Sequence, residues 1–250
     1  MTKGRHNENI QQSLQRLHKG RTYRDLSTVM VVPTRGDIPA TVVSSWMGLM
    51  RPMNQPCGGP VFFQGFEVGD AYNQAVEWVL AFNEQCKSNP QARPFRFMLT
   101  LEEDNTPPPD GILRLIETIH DGDFDAVGGL YWTKGEEGQP MIYGDPTVLP
   151  KNFAPQPPLV DQVQRCNGLG MGFTLFRVAL FEKMAKDLPK DAKSVRQWFR
   201  TVQDYTPGVG GRAFTQDLWF FDQATKYGGR FASDNRVHVG HYDKHTDITW

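Results

Sequence analysis

The sequence predicts a single α/β domain in which a mostly parallel central sheet is flanked by helices. Short apolar runs of strand length alternate along the chain with segments whose apolar residues recur at helical spacing, and this alternation is typical of such folds. With 39% hydrophobic and 12% aromatic residues, the chain can also bury a core. Because no linker-like stretch interrupts the alternation, we assign residues 27–250 to one domain.

The first elements alternate between strand and helix. Val29–Val32 is an uninterrupted apolar run that Pro33 ends, as expected for a buried strand leading into a loop. A second strand is predicted at Val61–Phe63. Apolar residues at helical spacing then indicate a helix over 71–80, and the apolar segment Phe95–Leu101 predicts a third strand.

The next elements precede a long loop. Apolar residues recur at helical spacing over 112–119, and Asp110 stands where the N-cap of this helix is expected. Asp125–Trp132 has the pattern of a strand. Thr133–Pro158 is rich in proline and glycine, so we expect a long ordered loop there.

The last third of the chain repeats the alternation. The glycine-rich segment Gly168–Phe173 leads into an apolar run, which is followed by a helix predicted over Val178–Leu188. Another helix is predicted to begin at Gln216–Asp217, where apolar residues again recur at helical spacing. Arg236–Gly240 is predicted to be the last strand.

Composition and charge narrow the class of protein. The 27 Lys and Arg residues almost balance the 28 Asp and Glu residues, which excludes a polybasic protein that binds mainly by neutralising phosphates. No apolar run reaches the ~18–20 residues of a membrane helix, and residues 1–25 lack the apolar stretch of a signal peptide. The three cysteines form no Cys-x-x-Cys pair. We therefore expect a cytoplasmic protein with no integral membrane association.

Two segments are locally basic. Residues 1–26 form an N-terminal extension with six Lys or Arg residues against Glu8 and Asp25, and Lys183–Arg212 contains seven Lys or Arg residues. The extension is either a solvated tail or short helix, or a contact to a polyanion.

Polar groups follow several of the predicted strands. Three groups are expected at such strand ends: Pro33–Asp37, Glu102–Asn105 and the Gly168–Gly172 loop. A fourth, Gln216–Asp217, starts a helix. In open α/β sheets, ligands bind outside the carboxyl ends of the strands. The sequence therefore predicts a pocket at this edge of the sheet.

Three consecutive acidic residues, Glu102, Glu103 and Asp104, come directly after the third strand. They repel one another, so we expect a cation beside them. Oxygen ligands suit Mg²⁺ or Mn²⁺, which also bind oxygens of a substrate phosphate. The alternative is a solvated turn in which Asp104 bonds to backbone amides.

Histidines near the C-terminus are further potential ligands. If 237–241 is extended, His238 and His241 point to opposite faces, which disfavours a three-histidine zinc site with His245 and leaves one histidine as a possible ligand. Asp217, at the N-cap or first position of a helix, is either a capping residue or a base that the helix dipole keeps ionised.

Taken in chain order, these segments resemble the inverting nucleotide-sugar glycosyltransferases of the glycosyltransferase-A fold, the broad family-2-like group. The resemblance spans residues 27–243, and the sequence departs from the family at Tyr72, Glu102 and Gln216, where the family has arginine, aspartate and glutamate. The matching segments are Val31–Arg35 (first strand and nucleotide loop), Tyr72–Ala75 (helix start), Met98–Pro108 (strand and Asp-x-Asp motif), Asn167–Phe173 (glycine-rich acceptor strand), Thr215–Phe220 (helix start with the base) and Val237–Tyr242 (closing strand).

The resemblance implies a hexosyltransferase that moves a sugar from a UDP- or GDP-linked donor to an acceptor hydroxyl, with Mn²⁺ or Mg²⁺ as cofactor. Asp217 is implied as the catalytic base, with an ordinary pKa. The implied metal ligands are Asp104, Glu102 and His241. The implied donor-binding residues are Pro33, Thr34, Arg35, Asp37, Glu67, Asn73 and Glu103. The implied acceptor-binding residues are Trp132, Gly170, Met171, Gly172 and Trp219.

The acceptor and the reaction class have alternatives. The basic segments favour a polyanionic acceptor. A hydroxymethylated base in phage-type DNA would be such an acceptor, so DNA modification is predicted. The alternative acceptor is cell-envelope polysaccharide. A nucleotidyltransferase would use a similar domain and cation, but Pro33–Gly36 is too short for its glycine-rich basic loop. The third alternative is a non-enzymatic module that binds a nucleotide or a polyanion, but this function would not explain the three acidic residues 102–104.

Overall fold

The computed structural model of the chain describes residues 26–52, 56–89, 91–192, 194–206 and 210–250, with 204–206 and 210–213 described by their backbone alone. Residues 1–25 of the predicted basic extension lie outside the described residues. Within these ranges the helices are α1 (Ala40–Met47), α2 (Val68–Cys86), α3 (Gly111–Asp121), α4 (Val178–Met184) and α5 (Gln216–Lys226). The strands are β1 (Thr28–Thr34), β2 (Cys57–Gln64), β3 (Phe97–Leu101), β4 (Asn105–Thr106), β5 (Ala126–Leu130), β6 (Ile142–Tyr143), β7 (Val163–Cys166), β8 (Gly168–Leu169), β9 (Phe173–Arg177), β10 (Val202–Thr206), β11 (Gly210–Phe214), β12 (Phe231–His238), β13 (Gly240–Asp243) and β14 (Ile248–Thr249).

A seven-stranded sheet in the order β2–β1–β3–β9–β5–β12–β7 forms the centre of the fold. β1 is parallel to both β2 and β3, and β5 is parallel to β12. β9 lies antiparallel between β3 and β5, and β7 is antiparallel to β12 at the edge. All strands of this sheet except β9 and β7 therefore share one direction, which confirms the predicted α/β domain with a mostly parallel central sheet.

Helices cover both faces of this sheet. Successive side chains of a strand point to opposite faces, so Val29 and Val31 of β1 pack with α2, α4 and α5, whereas Met30 and Val32 pack with α1 and α3. The whole of β1 is buried, as expected for a strand covered on both sides. Because helices cover both faces of the sheet, a binding site is expected at the ends of the strands.

β1 continues through Pro33, which the sequence predicted as the end of the strand. Pro33 pairs with Phe63 of β2, but the pairing of β1 with β3 covers Thr28–Val31 alone. One side of β1 therefore needs no hydrogen bond at Pro33, and strands tolerate proline at such positions.

Two helix predictions need correction. Asp110 occupies the N-cap position of α3, but its side chain bonds to the Arg114 guanidinium instead of a backbone amide. α4 ends at Met184, short of the predicted Leu188, and the chain continues there in turns. None of the described helices is both long and apolar enough to cross a bilayer.

The prediction of one last strand over Arg236–Gly240 needs correction, because β12 runs over Phe231–His238 and Gly240 begins β13. The middle residues of β12 have buried polar side chains, so the hydropathy pattern did not reveal this part of the strand. Asp234 is completely buried and accepts hydrogen bonds from Thr118 of α3 and from the Arg236 guanidinium. These partners hold the pKa of Asp234 below its usual value although burial alone would raise it.

We expect Asp234→Asn to lower the free energy of unfolding by about 2 kcal/mol, because an amide hydrogen would then face the donors of Thr118 and Arg236 in a buried place. Urea denaturation measures this change. The matched control is Asp123→Asn, which removes an exposed ion pair with Arg230 and should change stability much less than Asp234→Asn does. Equal effects of the two substitutions would contradict the structural role of Asp234.

Candidate active site

The carboxyl ends of β1 and β3 lie side by side, and Glu103 joins them. Its Oε2 atom accepts hydrogen bonds from Thr34 Oγ1 at 2.8 Å and from the backbone amide of Arg35 at 2.9 Å. Thr34 Oγ1 in turn accepts from the amide of Gly36. Glu103 therefore fixes the shape of the loop that follows β1, where the sequence predicted the nucleotide to bind.

Glu102 points to a different partner. The hydroxyl of Tyr72, on α2, donates to Glu102 Oε1 at 3.0 Å. Burial raises the pKa of Glu102 to about 7, and the neighbouring charge of Asp104 adds to this shift, as does that of Asp217. The predicted metal ligand Glu102 is thus bonded to Tyr72, and it is close to protonation at neutral pH.

Asp104 lies beside His241, as the sequence predicted for two ligands of one metal. Asp104 Oδ2 is 3.3 Å from His241 Nε2, and β13 brings His241 there by pairing with Asn105. His241 Nδ1 is 2.7 Å from the backbone carbonyl oxygen of Trp132. Because a carbonyl can only accept, we assign the ring proton to Nδ1, which directs the lone pair of Nε2 toward Asp104.

A carboxylate oxygen and an imidazole lone pair that face each other fit a shared cation. Neighbouring octahedral ligands of a small divalent ion lie about 3 Å apart, close to the separation of these two atoms. A backbone carbonyl that orients the second ring nitrogen is the usual support of a metal-binding histidine. The residues therefore fit the Mg²⁺ or Mn²⁺ that the sequence predicted.

The protein supplies few ligands of its own to such an ion. Among the described residues, no group of three or more His, Cys, Asp or Glu side chains is placed to hold a metal. Mg²⁺ commonly binds through one or two carboxylates and completes its shell with water and substrate phosphate. Asp104 and His241 therefore suit an ion that arrives with a phosphate-containing ligand.

Lys134 is a partner of Asp104 that sequence reasoning missed. Its Nζ atom donates to Asp104 Oδ2 at 2.6 Å. Burial alone would raise the pKa of Asp104, but the hydrogen bond from Lys134 lowers it below its usual value, as does the neighbouring His241 ring. Asp104 is therefore ionised at neutral pH and already shares its charge with an ammonium group.

A cavity of about 150 Å³ lies next to Asp104. The sequence predicted one wall of it, formed by Arg35, Asp37 and Glu103. β13 and the turn after it form another part of the lining, where the sequence had indicated His245 alone, as a potential metal ligand. The remaining lining residues are Pro39, Lys134, Tyr242, Asp243, Lys244 and His245.

Asp217 differs from its prediction in position and in acidity. The N-cap of α5 is Thr215, so Asp217 is the second residue of the helix. It is buried, and its Oδ1 atom accepts hydrogen bonds from Thr215 Oγ1 and from the amide of Leu218. Burial raises the pKa of Asp217 above its usual value, whereas we expected an ordinary one. Burial raises the pKa of Glu102 and of Tyr143, and the charge of Asp217 adds to both shifts, so Asp217 lies near these two groups.

The glycine-rich segment is shaped by close packing. A Cβ atom on Gly170 would lie 2.1 Å from the Tyr131 hydroxyl oxygen, and one on Gly172 would lie 2.3 Å from Asn105 Oδ1. The Tyr131 hydroxyl accepts from the Gly172 amide, and Met171 is buried in the core. Close packing alone explains why glycine is needed at 170 and 172 and why Met171 is buried. The acceptor-binding role of these three residues therefore stays a prediction.

The two tryptophans that were predicted to bind the acceptor, Trp132 and Trp219, come before and after the glycine-rich segment in the sequence. Trp132 is 37% exposed, and its carbonyl oxygen orients His241. Trp219 is half-buried in the first turns of α5, after Asp217. Their aromatic faces stay candidates for stacking on a sugar.

Glu67 and Asn73 have structural roles that the sequence did not reveal. Glu67 is the N-cap of α2, and its Oε2 atom accepts from the amides of Gly69 and Asp70. Buried Asn73 bonds through both ends of its amide to the backbone of Phe199, at 3.0 and 2.8 Å. The prediction that Asn73 binds the donor stays a prediction, and each end of its amide already has one backbone partner.

A larger cavity, of about 980 Å³, lies at the amino end of β3, beside Phe97 and Arg177. Charged groups that line it pair with one another, as Lys190 and Arg196 do with Glu77. The acidic triplet lies at the other end of β3, so the candidate active site is the smaller cavity.

Comparison with known proteins places the fold. No protein-family profile and no curated protein matches the sequence. A197 from STIV is similar in structure, with 16% identity, a TM-score of 0.54, and coverage of 87% of this chain and 86% of that chain. GalNAc-T7, solved with UDP, GalNAc and Mn²⁺, is 11% identical with a TM-score of 0.50, and the match covers 87% of this chain but 44% of that one. At these identities the likeness shows a shared fold.

We expect the pH dependence of stability to change in Glu102→Gln. The folded protein binds a proton at Glu102 up to pH about 7, whereas the unfolded chain releases it near pH 4.5, so Glu102 destabilises the fold increasingly as pH rises through this window. Urea denaturation at several pH values should show the variant gaining stability relative to the native protein between pH 5 and 7.5. A constant difference, matching that of the exposed Glu84→Gln control, would contradict the raised pKa.

Proposed function

We propose that the protein is a glycosyltransferase that moves a sugar from a nucleoside diphosphate to an acceptor hydroxyl. The observation that carries the proposal is the pair Asp104 and His241, which offers a cation two converging ligands beside a cavity at the carboxyl ends of β1 and β3. The fold shared with GalNAc-T7, which was solved with UDP, GalNAc and Mn²⁺, supports this assignment.

The binding step uses the cavity next to Asp104. The loop after β1, fixed by Glu103, and the turn after β13 form walls between which a nucleotide can lie. Arg35 and Lys244 line this space and supply positive charge toward phosphate. A bound Mn²⁺ or Mg²⁺ would stabilise the negative charge that gathers on the leaving diphosphate.

Asp217 is the proposed base. Two hydrogen bonds at Oδ1 fix the orientation of its carboxyl group, and its raised pKa brings it nearer to the neutral range in which a general base works best. The acceptor hydroxyl would pass its proton to this carboxylate as its oxygen bonds to the anomeric carbon and the bond from that carbon to the diphosphate breaks. A single displacement of this kind inverts the configuration of the sugar.

The DNA acceptor finds no support in the described residues. Of the two basic segments on which that prediction depended, residues 1–25 lie outside the described ranges. In the second, Lys190 and Arg196 pair with Glu77, and Lys183 donates to the carbonyl of Tyr227. The proposal is therefore confined to an acceptor hydroxyl.

We expect the purified protein to release UDP or GDP from a sugar-linked donor, with water as the acceptor, when Mn²⁺ is present. Mass spectrometry of a panel of donors measures this. Asp217→Asn should reduce turnover about 10²–10⁴-fold while nucleotide binding, measured by calorimetry, is retained.

The control is Asp222→Asn on the same helix, whose side chain bonds to Lys151 on the surface and should leave turnover unchanged. Absence of nucleotide release from every donor would contradict the proposed reaction. Full turnover of Asp217→Asn would remove Asp217 from the role of base.

A further inference from the structure

Lys134 is held at the candidate active site by an ordered turn. The backbone amide of Thr133 donates to the carbonyl of Gln139 at 2.9 Å, and the amide of Gln139 donates to Thr133 Oγ1 at 2.8 Å. Gly135, with a φ of 108°, makes the reversal between them possible. The turn therefore fixes the backbone from which the lysine side chain extends.

The ammonium group of Lys134 lies where a cation is expected. It is 2.6 Å from Asp104 Oδ2, the same oxygen that lies 3.3 Å from His241 Nε2. The residues just before it also belong to the site, because the carbonyl of Trp132 orients His241. One short segment thus positions the histidine and neutralises the carboxylate.

We propose that Lys134 is an internal cation that occupies the metal position of Asp104 and His241 until a divalent ion arrives together with the phosphate-containing donor. This inference rests on the proposed function. The ammonium cancels the charge of Asp104 and repels a metal ion at short distance, so an ion without a ligand binds weakly. A diphosphate offers the lysine a second anionic partner, which makes binding of metal and nucleotide mutually favourable.

The side chain of Lys134 has room to make this exchange. It is one-third exposed and lines the cavity of about 150 Å³ together with Asp243 and Lys244. Its four-carbon stem rotates freely compared with the planar fork of an arginine. The ammonium can therefore leave Asp104 and stay in the cavity, within reach of a ligand there.

The experiment measures binding of Mn²⁺ alone, by electron paramagnetic resonance of the free ion. Lys134→Met keeps an unbranched side chain, one atom shorter than that of lysine, and removes the charge, so we expect it to bind Mn²⁺ about tenfold more tightly than the native protein does. Lys134→Arg keeps the charge and should bind Mn²⁺ as weakly as the native protein. Lys244→Met removes the same charge from the same cavity and should change the affinity less than about twofold.

Unchanged Mn²⁺ affinity in Lys134→Met overturns the proposal, and so does an equal gain in Lys244→Met, which would be a general effect of charge. Lys134→Gln gives the same reading if the methionine variant does not fold, and lack of Mn²⁺ binding in both neutral variants also overturns the proposal. The measurement needs no sugar transfer. Tighter Mn²⁺ binding combined with no nucleotide release from any donor would sustain the role of Lys134 and reject the reaction.

Discussion

Mutual repulsion among the acidic residues 102–104 is the constraint that organises this end of the molecule. Three neighbouring carboxylates at the end of a buried strand are stable there because each meets a different partner. The middle one binds the loop after β1 through Thr34, the first accepts a hydrogen bond from Tyr72, and the third lies against Lys134 and His241. Only the third is left with partners that a metal ion could replace or share, which is why the candidate site is centred on it.

The fold brings these partners together from distant parts of the chain. Parallel pairing of β1 and β3 places their carboxyl ends at one edge, and α2 packs on the sheet so that Tyr72 reaches the same edge. β13 pairs with β4, and the amide of Tyr242 donates to the carbonyl of Asp104 at 2.7 Å. The histidine strand is thus tied directly to the acidic loop by backbone hydrogen bonds, so the separation of the two side chains is set by the backbone.

Much of the fold and part of the site could be predicted from the sequence. Apolar runs identified the strands that are buried on both faces, and the acids after β3 and His241 were predicted as one group before their contact was known. Hydropathy could not reveal β12, whose buried Asp234 is stabilised by partners far away in sequence. It also could not reveal Lys134, 30 residues from Asp104, or the bonds of Asn73 to Phe199, because these depend on tertiary contacts that leave no local pattern.

A crystal structure of the protein with Mn²⁺ and UDP or GDP, using the anomalous signal of manganese, is the most direct test of the proposed metal site. We expect a peak bonded to Asp104 Oδ2 and His241 Nε2, with diphosphate oxygens completing its shell and the ammonium of Lys134 moved off the carboxylate. A nucleotide seated elsewhere, such as the larger cavity beside Arg177, or a manganese position away from Asp104, would contradict it.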